Sequence, residues 1–116
     1  MKKDREKRIK SELEKLEKIF KDIDEDKRKL VDGLIYRASF MRITLEDYES
    51  DINEKGSIES FTQSEKVKPY ERERPVIRMY NTLLRNYQQT IKQLTDLLPK
   101  DIPVEIDDGF EELVYR

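Results

Sequence analysis

Apolar residues along the chain recur at helical rather than alternating spacing, and they divide it into three segments. Ile9, Leu13, Leu16, Phe20 and Ile23 follow one another at steps of 4, 3, 4 and 3. That is a single heptad-type stripe on an otherwise charged segment. It predicts a first helix over roughly residues 3–23, with Glu6–Lys10, Glu14–Lys18 and Glu17–Lys21 spaced as ion pairs on its wet side. Leu34, Ala38, Met41, Leu45, Tyr48 and Ile52 repeat at 4, 3, 4, 3 and 4, and Leu30, Val31 and Ile35 widen that stripe at its start. They predict a second helix over about residues 25–55, capped by Asp24 or Asp26 and ended by Gly56. Thr44-Leu-Glu-Asp47 has the form of a capping box that would open a separate helix. The apolar phase runs through Thr44 without a slip, which favours one rod. Val76, Tyr80, Leu83, Tyr87, Ile91, Leu94 and Leu98 continue the rhythm at 4, 3, 4, 4, 3 and 4. This third helix is predicted to start with Pro75 in its first turn and to end at Leu98-Pro99.

Two stretches break the pattern. Residues 57–74 carry Ser57, Ser60, Thr62, Ser64 and Pro69, with Ile58, Phe61, Val67 and Tyr70 as anchors. A short β-hairpin or an extended arm would fit there, but the period is too irregular to assign one. Residues 99–116 form an acidic tail in which Phe110, Leu113 and Val114 share one face of a short turn. The expected fold is all-α: an elongated hairpin or bundle of three main helices. Residues 1–98 make a helical oligomerisation domain with the connector inside it, and residues 99–116 the tail.

Composition sharpens that picture. Charged residues are 43% of the 116 and hydrophobic ones 35%, so the core is thin for the length and suits a rod or a subunit that completes its core with a partner. Disorder is the competing reading of such charge. It is opposed by the near balance of 24 basic and 26 acidic residues and by the regular apolar spacing.

The chain has no cysteine and no histidine, which excludes disulfides, thiolate metal sites and imidazole chemistry. Asp22, Asp24 and Asp26 alternate as in a calcium loop, but Lys27 stands where such a loop needs glycine and Gly33 where it needs glutamate. Gly33, Gly56 and Gly109 are too far apart for a phosphate loop. Glu46, Asp47, Glu49 and Asp51 read as a solvated helix face rather than a hydrolytic pair. The expectation is therefore a protein that is not an enzyme, with no metal and no cofactor. No apolar run has the length of a membrane span, and the cytoplasm is the expected location.

Charge comes in blocks. Residues 1–10 hold six basic and two acidic side chains, residues 44–59 one and six, residues 65–85 six and three, and residues 99–116 two and six. Such blocks point to packing between copies or to separate partner surfaces, against the plainer reading of solvated helix faces. For nucleic acid, the candidate cations are Lys2, Lys3, Arg5, Lys7 and Arg8, with Arg72, Arg74 and Arg78 as a second patch. Between Met79 and Leu98 only Arg85, Lys92 and Asp96 are charged. Neutral amides and threonines fill the other polar positions and suit a protein–protein surface. Tyr80, Leu83, Tyr87, Ile91 and Leu94 are the expected oligomer interface, the alternative being a monomeric bundle.

Leu30-Val-Asp-Gly-Leu-Ile35, Ala38-Ser-Phe-Met41, Ile52-Asn-Glu-Lys-Gly56, Tyr80-Asn81, Asn86-Tyr87, Ile91-Lys-Gln-Leu94 and Leu97-Leu-Pro99 together resemble the small terminase subunits of phages and prophages. So does the ending Asp108-Gly-Phe-Glu-Glu-Leu-Val114. The resemblance covers about residues 30–98 and the tail. It implies a non-catalytic helical subunit that forms a homo-oligomeric ring, binds viral DNA near a packaging site and engages the large terminase subunit. Phe110, Leu113 and Val114 are then the expected docking residues for that partner. A helical adaptor or regulator that oligomerises without touching nucleic acid is the alternative.

Overall fold

A computed structural model describes residues 2–98. It is a rod with principal extents of 64 × 29 × 25 Å, built from α1 (Lys2–Ile19), α2 (Glu25–Lys55), β1 (Ile58–Phe61), β2 (Tyr70–Glu73) and α3 (Pro75–Asp96). The fold is mostly helical but not all-α, because the connector pairs into a two-stranded antiparallel sheet. The acidic tail, with Phe110, Leu113 and Val114, lies outside the described residues.

α2 is the axis of the molecule, and α1 and α3 pack on it rather than on each other. Both run antiparallel to it. The start of α1 reaches the level of Asp47 through Arg5, and the start of α3 reaches Asp51 through Arg74. At 1.5 Å per residue the 31 residues of α2 span about 46 Å, and the sheet prolongs the rod beyond its C-terminal end. The core is a file of side chains between the helices: Leu16, Phe20 and Ile23, then Val31, Ile35, Ala38 and Leu45, then Tyr87, Ile91 and Leu94.

α1 stops at Ile19, one turn short of the expected Ile23. Phe20 and Ile23 keep the apolar spacing and are buried, but they do so from a tight reversal. Arg28 fixes that reversal by donating to the carbonyls of Phe20 (3.3 Å), Lys21 (2.8 Å) and Ile23 (3.2 Å). A cation there also complements the negative end of the helix. Asp24 is the N-cap of α2, yet its carboxylate makes no capping bond. Its carbonyl accepts from the Lys27 N–H at 3.0 Å.

α2 is continuous through Thr44. The hydroxyl that would have opened a new helix donates instead to the Phe40 carbonyl one turn back, at 2.9 Å. Gly56 ends the helix at φ +78°, ψ −172°, a conformation open essentially to glycine, and its N–H closes on the Ile52 carbonyl at 2.7 Å. In the hairpin, Ile58 pairs with Glu73 and Phe61 with Tyr70. A backbone bond from Arg74 to Ser57, 2.8 Å long, shuts its base. Pro75 then begins α3, where its missing N–H has no helical acceptor to lose.

Candidate functional site

The two basic clusters far apart in sequence come together at one end of the rod, and most of their arginines are held by this chain's own carboxylates. Arg5 bonds to Asp47 and Thr44. Arg8 bridges Asp47 at 2.6 Å and Glu46 at 3.1 Å. Its proton is held more tightly than that of an ordinary arginine, because hydrogen bonding to Asp47, joined by Glu46, outweighs burial. Arg74 donates to Asp51 and to the Gly56 carbonyl, each at 2.6 Å. This pairing draws the Asp51 carboxyl below the usual carboxylate range. Arg72 meets Glu59 at 2.7 Å and lies 3.5 Å from the centroid of the Phe61 ring. The acidic block of residues 44–59 is thus the internal counterpart of both basic blocks. Lys2, Lys3, Lys7 and Arg78 are exposed.

The expected oligomer residues are placed differently. Tyr87 and Leu94 are 0% exposed and Ile91 is 6%, so they serve the chain's own core. Tyr80 and Leu83 are half-buried against it. The Tyr80 hydroxyl donates to Glu49 at 2.8 Å. What α3 turns outward is its amide face, including Asn81, Asn86, Gln89 and Gln93.

Sequence reasoning missed two features. One is a buried polar layer with one residue from each helix: Glu12, Arg42 and Tyr87. Burial works against the Arg42 charge, but Tyr87, Glu46 and Glu12 outweigh it and hold the guanidinium protonated more firmly than usual. Its Nε donates to Glu46 at 3.2 Å. Glu12 Oε1 is enclosed with no hydrogen bond among the described residues, so the charge it faces is Arg42. The legible signal was phase, since Arg42 falls on the same side of α2 as Val31, Ile35, Ala38 and Leu45. The other missed feature is the opposite side of α2. Leu30, expected to widen the core stripe, is 57% exposed, and Tyr36 and Phe40 are exposed with it.

Among the described residues no group of three potential ligands is placed to hold a metal ion, and no helix is long and apolar enough to cross a membrane. What the arrangement offers is surface: an aromatic side of α2, an exposed hairpin and an amide side of α3. Comparison with family models, curated proteins and solved structures finds no match for this chain.

Proposed function

We propose that the chain is a non-catalytic subunit of a viral DNA-packaging apparatus, similar to small terminase subunits and working in the cytoplasm of an infected host. In this reading it oligomerises, touches DNA and engages the large terminase subunit. The supporting observation is where the resemblance falls. Between residues 30 and 98 its motifs occupy one folded unit, the antiparallel pair of α2 and α3 with Gly56 at their turn. DNA contact falls first to Lys2, Lys3, Lys7 and Arg78, which are exposed cations of the two basic clusters. The test joins two measurements on the purified chain: a mobility shift with duplex DNA across a salt series, and co-purification with a large terminase subunit. Replacing Lys2, Lys3 and Lys7 with Ser is expected to lower the salt slope by about 0.9 for each phosphate that is no longer neutralised. Failure of both binding at low salt and capture of the large subunit sinks the reading.

A second reading, an oligomeric adaptor that never binds nucleic acid, is favoured by one observation. Arg5, Arg8, Arg72 and Arg74 already have carboxylate partners, so phosphates would have to displace those to gain them. Capture of the large subunit without a DNA shift is the result that selects it.

A further inference from the structure

Leu30, Tyr36 and Phe40 are 57%, 56% and 46% exposed, and helical phase sets them on one side of α2 around Gly33. That glycine is in mid-helix, where it weakens a helix relative to alanine. Nothing among the described residues requires it. Its φ is not positive, and a Cβ added there would meet no described atom outside its own helix backbone within 4 Å. A flat spot between large apolar side chains allows another helix to come close, since side-chain size at the crossing sets the distance between axes.

We propose that this face seats a second copy of the chain, with the two α2 helices antiparallel about a two-fold axis between Tyr36 and Arg37. Charge chooses the occupant and its direction. One end of the face adjoins the acidic turn of Asp22, Asp24, Glu25 and Asp26. The other adjoins the basic start of α1, where Arg5 lies 5.1 Å from the centroid of the Phe40 ring. Antiparallel pairing brings the acidic turn of each copy to the basic start of the other. Phe40 then stands opposite Gly33, Tyr36 opposite Arg37, and Lys29 within a turn of Asp47. Asp26 comes opposite Asp47, whose charge Arg5 and Arg8 already cover. A parallel pair would instead set Asp26 on Asp26 and Arg37 on Arg37. The contact is self-complementary and closed, so the face specifies a dimer. It does not depend on DNA binding, and its test contains no nucleic acid.

The test uses sedimentation equilibrium on the full chain at micromolar concentrations, with two variants. Gly33→Gln places bulk in the gap the monomer leaves open. It is expected to weaken self-association by at least about tenfold while helicity and the monomer's melting temperature hold or rise. Arg37→Cys puts a thiol beside the axis of a chain that otherwise has none. Mild oxidation is expected to link it into a covalent dimer, whereas Glu14→Cys, on the exposed side of α1, stays unlinked. A monomeric chain overturns the proposal. So does an assembly indifferent to Gly33→Gln, which would move the interface to another face such as the amides of α3.

Discussion

The two sides of α2 each carry exceptions to the usual arrangement. The inner side buries an arginine and a serine, Arg42 and Ser39, while the outer side exposes Leu30, Tyr36 and Phe40. Ser39 is accommodated easily, because its hydroxyl donates to the Ile35 carbonyl at 2.9 Å. Arg42 donates to Glu46 of its own helix, and Tyr87 from α3 and Glu12 from α1 add to the hold on its charge. The difference teaches that apolarity and burial are set by separate demands in a thin rod. The inner side fixes which helices lie together and in what register, a role attested for buried polar groups in helical assemblies. The outer side retains apolar area that the described residues leave uncovered.

Five variants break or sharpen this contrast. The largest effect is expected from Arg42→Ala, which strands the enclosed Glu12 carboxylate. Chemical denaturation should show a loss of about 3–5 kcal/mol. Replacing both charges, as Glu12→Leu with Arg42→Met, should restore stability to the wild-type level or above, since buried ion pairs seldom outperform apolar packing of similar volume. Next comes Tyr87→Phe, which keeps the ring in the core but takes its hydroxyl from Arg42. A loss of about 1–2 kcal/mol in the same experiment is expected. If Tyr87→Phe is silent, the layer reduces to Glu12 and Arg42.

On the outer side the sign reverses. Gly33→Ala should stabilise the monomer by about 1 kcal/mol, read at protein concentrations low enough to suppress association. A destabilised Gly33→Ala would show that the glycine serves the fold itself. The smallest effect concerns pH. Arg74 lowers the Asp51 carboxyl, so the contribution of that pair is fully present above about pH 4 and fades as pH falls through the lowered value. Asp51→Asn should therefore melt below wild type at neutral pH, and the gap should close in acid. A gap that persists in acid would assign the effect to packing.

Much of the helical frame was legible. The unbroken phase through Thr44 and the glycine at position 56 gave α2 the same limits, residues 25–55, in sequence and structure. Pro75 likewise marked the start of α3. The end of α1 was not legible, because Phe20 and Ile23 continue a helical spacing from a turn that Arg28 holds. Nor was the hairpin, because Ile58 and Phe61 stand three positions apart and β2 is charged after Tyr70, so no apolar alternation appears in the sequence. Its stability draws on an edge-to-face contact of Phe61 with Tyr70, 5.9 Å between centroids, and on Arg72 over the Phe61 ring. Charge blocks were visible, but their partners were not. Composition cannot tell that Arg5 and Arg8 would meet Asp47 of the same chain rather than another molecule. Tyr87 looked like interface for a similar reason: apolar phase states that a face is covered, not by whom.

The hairpin also separates chain length from helix phase. Its ladder runs from Ile58–Glu73 to Phe61–Tyr70, and the Arg74–Ser57 bond closes the base beside both helices. The residues from Thr62 to Pro69, which join the two strands, therefore have no part in aiming α3. Extra sequence grafted between Ser64 and Lys66 would lengthen a closed loop, a penalty of only about 0.6 kcal/mol per doubling. The same residues inserted between Lys21 and Asp24 would break the reversal that Arg28 ties down and pull buried Phe20 or Ile23 out of register with the core. The molecule thus has one junction that tolerates cargo and one that is part of the core.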